Sequence, residues 1–251
     1  FAIIFKIFKN FLSDNFQYFS FWIFFCIYLQ LLFAYLIVFK KTNNLYFSII
    51  ASIFFVISPI FVHRSGIHLS LMGQWLMLFA FYIEILDTKY KSTLRGFCIV
   101  LSCTIHFYFT IILIIFNFII QLFRFFENKK SFLKIFKEIF ITYLALIITM
   151  YVLGFFSIRL EDGLGGGYGY YNLNLNSFFN PKSFNNYESF NWSYFLPEGK
   201  LQNGEFEGFS YLGLGGFCFL LLLIINFINL KHEIIFSNKK IIVIFLTFFI
   251  L

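Results

Sequence analysis

Charge is what this chain has least of. Only 12 % of its 251 residues are Asp, Glu, Lys or Arg, about half the share in a soluble domain, and proline occurs only three times. So little charge excludes a soluble globule, and so much apolar sequence excludes a disordered chain, which needs low hydrophobicity. The four cysteines, Cys26, Cys98, Cys103 and Cys218, all lie inside apolar runs, poorly placed for a disulfide framework. Basic residues exceed acidic ones, 19 against 12, yet most sit in short clusters between apolar stretches. No face can present them as a nucleic-acid footprint, and no nucleic-acid partner is expected. What fills the chain instead is hydrophobic sequence, 60 % of it, with 44 Phe and 15 Tyr. Phe, Ile, Asn, Lys and Tyr are over-used together, the mark of an AT-rich genome filling lipid-facing positions that accept most apolar side chains. The composition is that of a multi-span protein with membrane lipids as its partners.

A helix needs about 20 apolar residues to cross the ~30 Å hydrocarbon core. Suitable runs are 17–39, 45–62, 69–86, 97–123, 138–156 and 210–230, with the start of another at 241–251. The expected fold class is all-α, a polytopic transmembrane helix bundle. The chain starts at Phe1 rather than Met and stops at Leu251 inside an apolar run, so it reads as a fragment truncated at both ends. The expected organisation has four parts. Residues 1–16 end an exoplasmic loop and carry an amphipathic helix around Lys6 and Lys9; 17–156 are transmembrane helices. Residues 157–209 form a long exoplasmic Gly/Tyr/Asn-rich loop, and 210–251 are transmembrane helices, the last incomplete.

Orientation follows from the cations. The connections 40–44, 87–96, 124–137 and 231–240 hold two, three, five and three of the Lys and Arg residues, which assigns them to the cytoplasm. All four can be cytoplasmic only if 97–123 enters and leaves on one side. That segment is too short for two full spans and long for one. It reads as a pair of short helices or a re-entrant hairpin turning near Thr104–Tyr108. A single tilted span is the alternative, and it would place five basic residues of one loop outside. On the first reading, 1–16, the turn at 63–68 and the loop 157–209 share the exoplasmic face of a bacterial inner (plasma) membrane, and function faces outward.

The loop 157–209 is the most informative segment for chemistry. Glycines 163, 165, 166, 167 and 169 permit close approach of a ligand, and Tyr168, Tyr170 and Tyr171 can stack on sugar rings or sit at the headgroup level. Gly165-Gly166-Gly167 lacks the Lys-Ser/Thr of a phosphate loop and no strand precedes it, which excludes nucleotide binding. Glu161 and Asp162 at one end of the loop, and Glu205 and Glu207 at the other, are carboxylates of the type that acid–base work on a hydroxyl requires. Of these, Glu161, Asp162 and Glu207 are the expected catalytic groups; solvated loop charge is the alternative. At 63–68, His63, Arg64 and His68 cluster at the ends of two runs, where the planar fork of Arg64 suits a lipid-linked phosphate. Interfacial snorkelling is the other explanation. Arg159 joins the expected substrate-binding set, as does His106, which lies at membrane depth beside Tyr108; a neutral histidine bonding a neighbouring helix fits His106 equally. His63 and His68, five residues apart without nearby Cys or Asp, make a poor zinc site. No metal ligands are assigned and no cofactor is specified; a divalent metal stays open.

Several strings look like those of a known family. They are Phe16-Gln17-Tyr18-Phe19, Ser58-Pro59 followed by His63-Arg64 and His68-Leu69-Ser70-Leu71, and His106-Phe107-Tyr108. More specific are Gly166-Gly167-Tyr168-Gly169-Tyr170-Tyr171, Phe179-Asn180-Pro181, Phe195-Leu196-Pro197 and Glu207-Gly208-Phe209-Ser210-Tyr211-Leu212-Gly213. Together they resemble the bacterial polytopic membrane family called domain of unknown function 6311, over essentially the whole chain. That family is similar to GT-C glycosyltransferases, which take a sugar from a polyprenyl-phosphate donor at the exoplasmic face. The resemblance implies a GT-C-like bundle and transfer of a polyprenyl-phosphate-linked sugar to an envelope glycan or lipid. Arg64 and His63 would neutralise the phosphate leaving group while the loop 157–209 closes over donor and acceptor and excludes water. The usual GT-C carboxylate lies in the first exoplasmic loop, upstream of Phe1; Asp14 does not match a catalytic motif, so the base is unassigned. The alternatives are a lipid-linked glycan transporter or flippase, for which no internal repeat is found, and a non-catalytic partner of envelope assembly.

Overall fold

In a computed structural model, residues 5, 7–13, 16–126, 131–157, 175–185, 188–199 and 208–229 are described. They form eight α-helices, four 3-10 turns and one β-hairpin, and the chain divides into two units, Phe1–Lys91 and Ser92–Leu251.

In the first unit, the 24-residue helix α1 (Phe19–Thr42) is about 36 Å long by the α-helical rise, enough to cross a bilayer. It ends because Asn43 adopts the left-handed conformation, φ 51°, which asparagine tolerates at a helix end. Asn44 then caps α2 (Leu45–Val56), its Oδ1 accepting the Phe47 N–H at 3.0 Å, and the two asparagines reverse the chain. α2 buries Ser48 and Ser52, whose hydroxyls donate to the Asn44 and Ile49 carbonyls at 2.6 and 2.8 Å. Small side chains satisfied within their own helix let two backbones approach. Tyr46, Ile50 and Phe54 are exposed instead.

Proline breaks the next run. Ser58 is extended at ψ 134°, as the residue before a proline prefers, and Pro59 begins α3 (Pro59–Ile67), bent by 45° from α2. The run expected at 69–86 is also divided, into a 3-10 stretch Leu69–Gln74 and α4 (Trp75–Ile85). Those 11 helical residues reach about 16 Å. The α1 stripe Trp22, Cys26, Gln30 and Ala34, at helical spacing, is buried, as are Trp75, Leu76, Ala80 and Ile83 of α4. Phe33 stacks on Phe79 at 4.7 Å and on Trp75 at 6.1 Å between ring centroids.

The second unit begins with α5 (Lys91–Cys103), α6 (Phe107–Phe126) and α7 (Phe132–Val152). A turn interrupts the apolar segment at Thr104–His106, where the Thr104 and Ile105 N–H groups donate to Leu101 and Ser102. The arms exceed the short helices expected within 97–123: α5 starts at Lys91, and α6 runs 20 residues to Phe126. α6 turns Phe109, Thr110, Leu113, Phe116, Asn117, Ile120 and Gln121 inward, one face at helical period. Its polar members tie it to its neighbours. Ser102 Oγ donates to Thr110 Oγ1 at 3.0 Å, and Gln121 Nε2 donates to Glu138 Oε2 at 3.3 Å. Glu138 also faces Arg95 Nη2 at 3.9 Å, and Arg95 is only 3 % exposed. Gly96 lies against Thr142, whose Oγ1 would be 3.0 Å from an added Cβ.

Beyond Ser157, described segments of the long polar loop carry a 3-10 turn, Leu175–Phe178, and an antiparallel hairpin. Its strands β1 (Lys182–Asn185) and β2 (Glu188–Asn191) pair Lys182 with Asn191 and Ser183 with Phe190. Helix α8 (Gly213–Asn229) follows. α1, α6 and α7 are each long and apolar enough to cross a membrane, and α2 with α3 forms a fourth candidate if the bent pair counts as one span. The protein is mainly helical and has the helices of a membrane protein.

The Arg95–Glu138 contact makes a specific demand on stability. Glu138→Ala leaves Arg95 buried without its carboxylate and is expected to cost about 3 kcal/mol. Glu138→Gln, which keeps an acceptor for Gln121, costs less. Unfolding in bilayer-mimetic detergent measures both, and a loss in Glu138→Ala with none in Glu138→Gln would show that charge pairing does not stabilise this junction.

Candidate functional site

The basic cluster of the first unit is set by the break at Ser58-Pro59. In α3, Phe61 and His63 are buried, His63 to 7 % exposure, and Arg64 is half-buried with Nη1 out of contact with solvent. His68 leaves the helix at φ −132°, ψ 83°, its N–H still donating to the Arg64 carbonyl at 3.0 Å. The next residue is held from α1, where Trp22 Nε1 donates to the Leu69 carbonyl at 2.6 Å. His63, Arg64 and His68 thus occupy one short helix and its exit, bounded by a proline break and a 3-10 segment. Irregular backbone at membrane depth survives only where protein buries it or it lines a water-filled cavity. A phosphate oxygen is a chemically suitable partner for such a cluster, because guanidinium and imidazolium both donate to anions.

In the second unit His106 sits immediately before α6. Its Nδ1 accepts the Tyr108 N–H at 3.3 Å and its ring packs on that of Tyr108 at 4.6 Å between centroids. This geometry is that of a helix cap, satisfying an otherwise orphan donor. Glu161, Asp162, Glu207, Arg159, Tyr168, Tyr170 and Tyr171 lie outside the described residues. Among the described residues no three His, Cys, Asp or Glu side chains converge on a metal-sized site. The junction of the buried Arg95 and Gln121 with the half-buried Glu138 was missed by sequence reasoning, which counts Arg95 among loop cations and Glu138 as the start of a span. Its signal in the sequence is a long polar side chain on the inward, mostly apolar face of each of three helices.

Two of the strings that carry the family resemblance, Phe179-Asn180-Pro181 and Phe195-Leu196-Pro197, belong to a small module. Asn180 Oδ1 accepts both the Lys182 and Gly199 N–H groups at 3.1 Å, clipping Asn180-Pro181 to Pro197-Glu198-Gly199. A Cβ at Gly199 would lie 2.7 Å from Asn180 Nδ2. Trp192 donates its backbone N–H to the Pro181 carbonyl and its Nε1–H to Ser183 Oγ, at 3.0 and 2.9 Å. Lys182 Nζ pairs with Glu198 Oε2 at 2.9 Å, and Asn191 Nδ2 donates to Glu198 Oε1 at 3.3 Å. The Lys182 bond, then its charge, holds the Glu198 carboxyl below its ordinary value near 4.5.

A depressed carboxyl pKa means that the pair supports the module at neutral pH and that this support is lost as the pH falls through the lowered midpoint. Carbon-13 NMR titration of Glu198 is therefore expected to give a midpoint below 4.5, and Lys182→Met to return it toward that value. An unchanged midpoint in Lys182→Met would remove Lys182 as the cause.

No curated protein and no solved structure matches the chain. The family model described as Domain of unknown function (DUF6311) matches residues 1–251, so the chain belongs to that family.

Proposed function

We propose that this protein is a GT-C-like membrane glycosyltransferase that moves a sugar from a polyprenyl-phosphate donor to an envelope glycan or lipid acceptor, at the exoplasmic face of the bacterial plasma membrane. The observation that carries the reading is the basic trio His63, Arg64 and His68 on an interrupted helix of an apolar unit. Cations among lipid-facing helices are costly and usually mark a substrate path. Arg64 offers a planar fork to the phosphate, and His63 and His68 add donors on either side. Glu161, Asp162 and Glu207 supply the carboxylates from which a base for the acceptor hydroxyl is drawn. Tyr168, Tyr170, Tyr171 and Arg159 stand in the same loop as groups for the sugar and its phosphate.

Two measurements on the protein reconstituted in nanodiscs or in cells test this. Arg64→Ala is expected to weaken binding of a polyprenyl-phosphate sugar by about tenfold or more, the worth of a charge-assisted hydrogen bond, with Arg64→Lys intermediate. Unchanged donor affinity and transfer in Arg64→Ala refutes the phosphate role. Donor binding without any transfer by the unmodified protein favours a flippase or a non-catalytic partner.

Sidedness is read by cysteine labelling in cells after the four native cysteines are replaced. Gly66→Cys and Ser189→Cys should react from outside and Lys130→Cys should be protected. Labelling of Lys130→Cys from outside would make the long loop cytoplasmic and overturn the exoplasmic reading.

A further inference from the structure

The hairpin module of the second unit exposes aromatic side chains that nothing in its own polar composition explains. Tyr194 is fully exposed, Phe195 is 85 % exposed, and Phe190 and Phe179 are more than half exposed. The turn that carries the first two is built: the buried Ser193 accepts the Phe195 and Leu196 N–H groups on its Oγ at 3.2 and 3.3 Å, and gives its own N–H to Asn191 Oδ1 at 3.2 Å. Single exposed apolar residues are ordinary, but two adjacent aromatics displayed from a braced turn mark an interaction surface.

The attachment of the module indicates what covers the patch. Phe179 stacks on Phe217 in the second turn of α8, ring centroids 5.2 Å apart and planes 6° from parallel. The Leu212 N–H, just before α8, donates to the Phe178 carbonyl at 3.3 Å, and Tyr211 meets Phe217 edge-on at 6.1 Å. α8 has no charged residue and exposes Leu214, Leu221, Ile224 and Ile225, a surface suited to lipid. The module is thus fastened to the starting end of an apolar, charge-free helix. Phe and Tyr beside Asn and a Lys–Glu pair is also the composition of an interfacial belt, with rings among the headgroups and polar atoms in water.

We infer that Tyr194 and Phe195, with Phe190, form a membrane-interface anchor: their rings enter the headgroup–acyl boundary of the leaflet in which α8 begins and fix the hairpin module against the lipid surface. The inference does not depend on the sugar-transfer reading. Lys182 is already paired with Glu198, so the attraction is apolar and independent of salt.

Nitroxide spin labels test it on the whole chain, freed of its native cysteines and reconstituted in phosphatidylcholine vesicles. Labels go at Tyr194→Cys and Phe195→Cys, with Ser189→Cys, an exposed position of the same hairpin, as the aqueous reference. All three side chains are exposed, so substitution leaves the packing of the module in place. At positions 194 and 195, the ratio of collisions with dissolved oxygen to collisions with a water-soluble nickel chelate is expected to exceed that at 189 several-fold, at low and high salt alike. Equal ratios at the three positions would put the tip in water and overturn the anchor. Shielding of 194 and 195 from both reagents would put a protein surface over the tip, which equally overturns it.

Discussion

Lipid accepts and donates no hydrogen bond, and most of the architecture of this chain answers that one constraint. Backbone groups close within helices, and side chains that would compete are answered locally: Ser48, Ser52, Thr104 and Thr149 all donate to carbonyls three or four residues back. Hydrophobic burial does little to drive helices together when the solvent is itself apolar. Small and polar residues therefore share the contacts with the apolar ones. α2 buries serines and exposes Ile50, Phe54 and Phe55; α6 buries Thr110, Asn117 and Gln121 and exposes Ile111, Phe118 and Phe125. The abundance of Phe is a property of the outside of the molecule.

The same constraint gives the irregular segments their meaning. Proline at 59 and the 3-10 stretch at 69–74 free backbone groups that must be answered by protein or water. The Trp22 bond to the Leu69 carbonyl is one such answer. Breaking a helix beside His63, Arg64 and His68 places three groups able to donate to an anion on a segment held from outside itself. A continuous helix would have spread these residues along one rod, as snorkelling cations, rather than gathered them at an exit.

Outside the helices, regular structure in the long polar segment rests on side chains more than on pattern. A four-residue ladder is too short to persist alone. It is held by the Asn180 clip, the Trp192–Ser183 bond and the Phe179–Phe217 stack. The family's strings around Asn180, Pro197 and Gly208–Gly213 are thus accounted for as scaffold, and the aromatic tip at Tyr194 and Phe195 stands out from them because the scaffold does not use it.

Composition and run length by themselves determined that this is a helical membrane protein, because crossing a bilayer is a demand on local sequence and can be counted along it. The interruption at Ser58-Pro59 was not read, because 45–62 counts as one apolar run, although proline's effect on its neighbours carries the signal. The basic cluster at 63–68 was legible. The division of 69–86 was not, since Leu, Ser, Met and Gly fit either helix geometry and the Trp22 bond to Leu69 that meets this segment comes from 47 residues away. Nor was the hairpin, whose strands lack clear alternation. His106 was read as a membrane-depth ionisable group, and only its distance to the Tyr108 N–H shows a cap. Tertiary structure alone decided that Arg95, Gln121 and Glu138 form one polar junction: each is an ordinary polar residue near a helix end in the sequence, and the burial of Arg95 and Gln121 exists only where three separate helices meet.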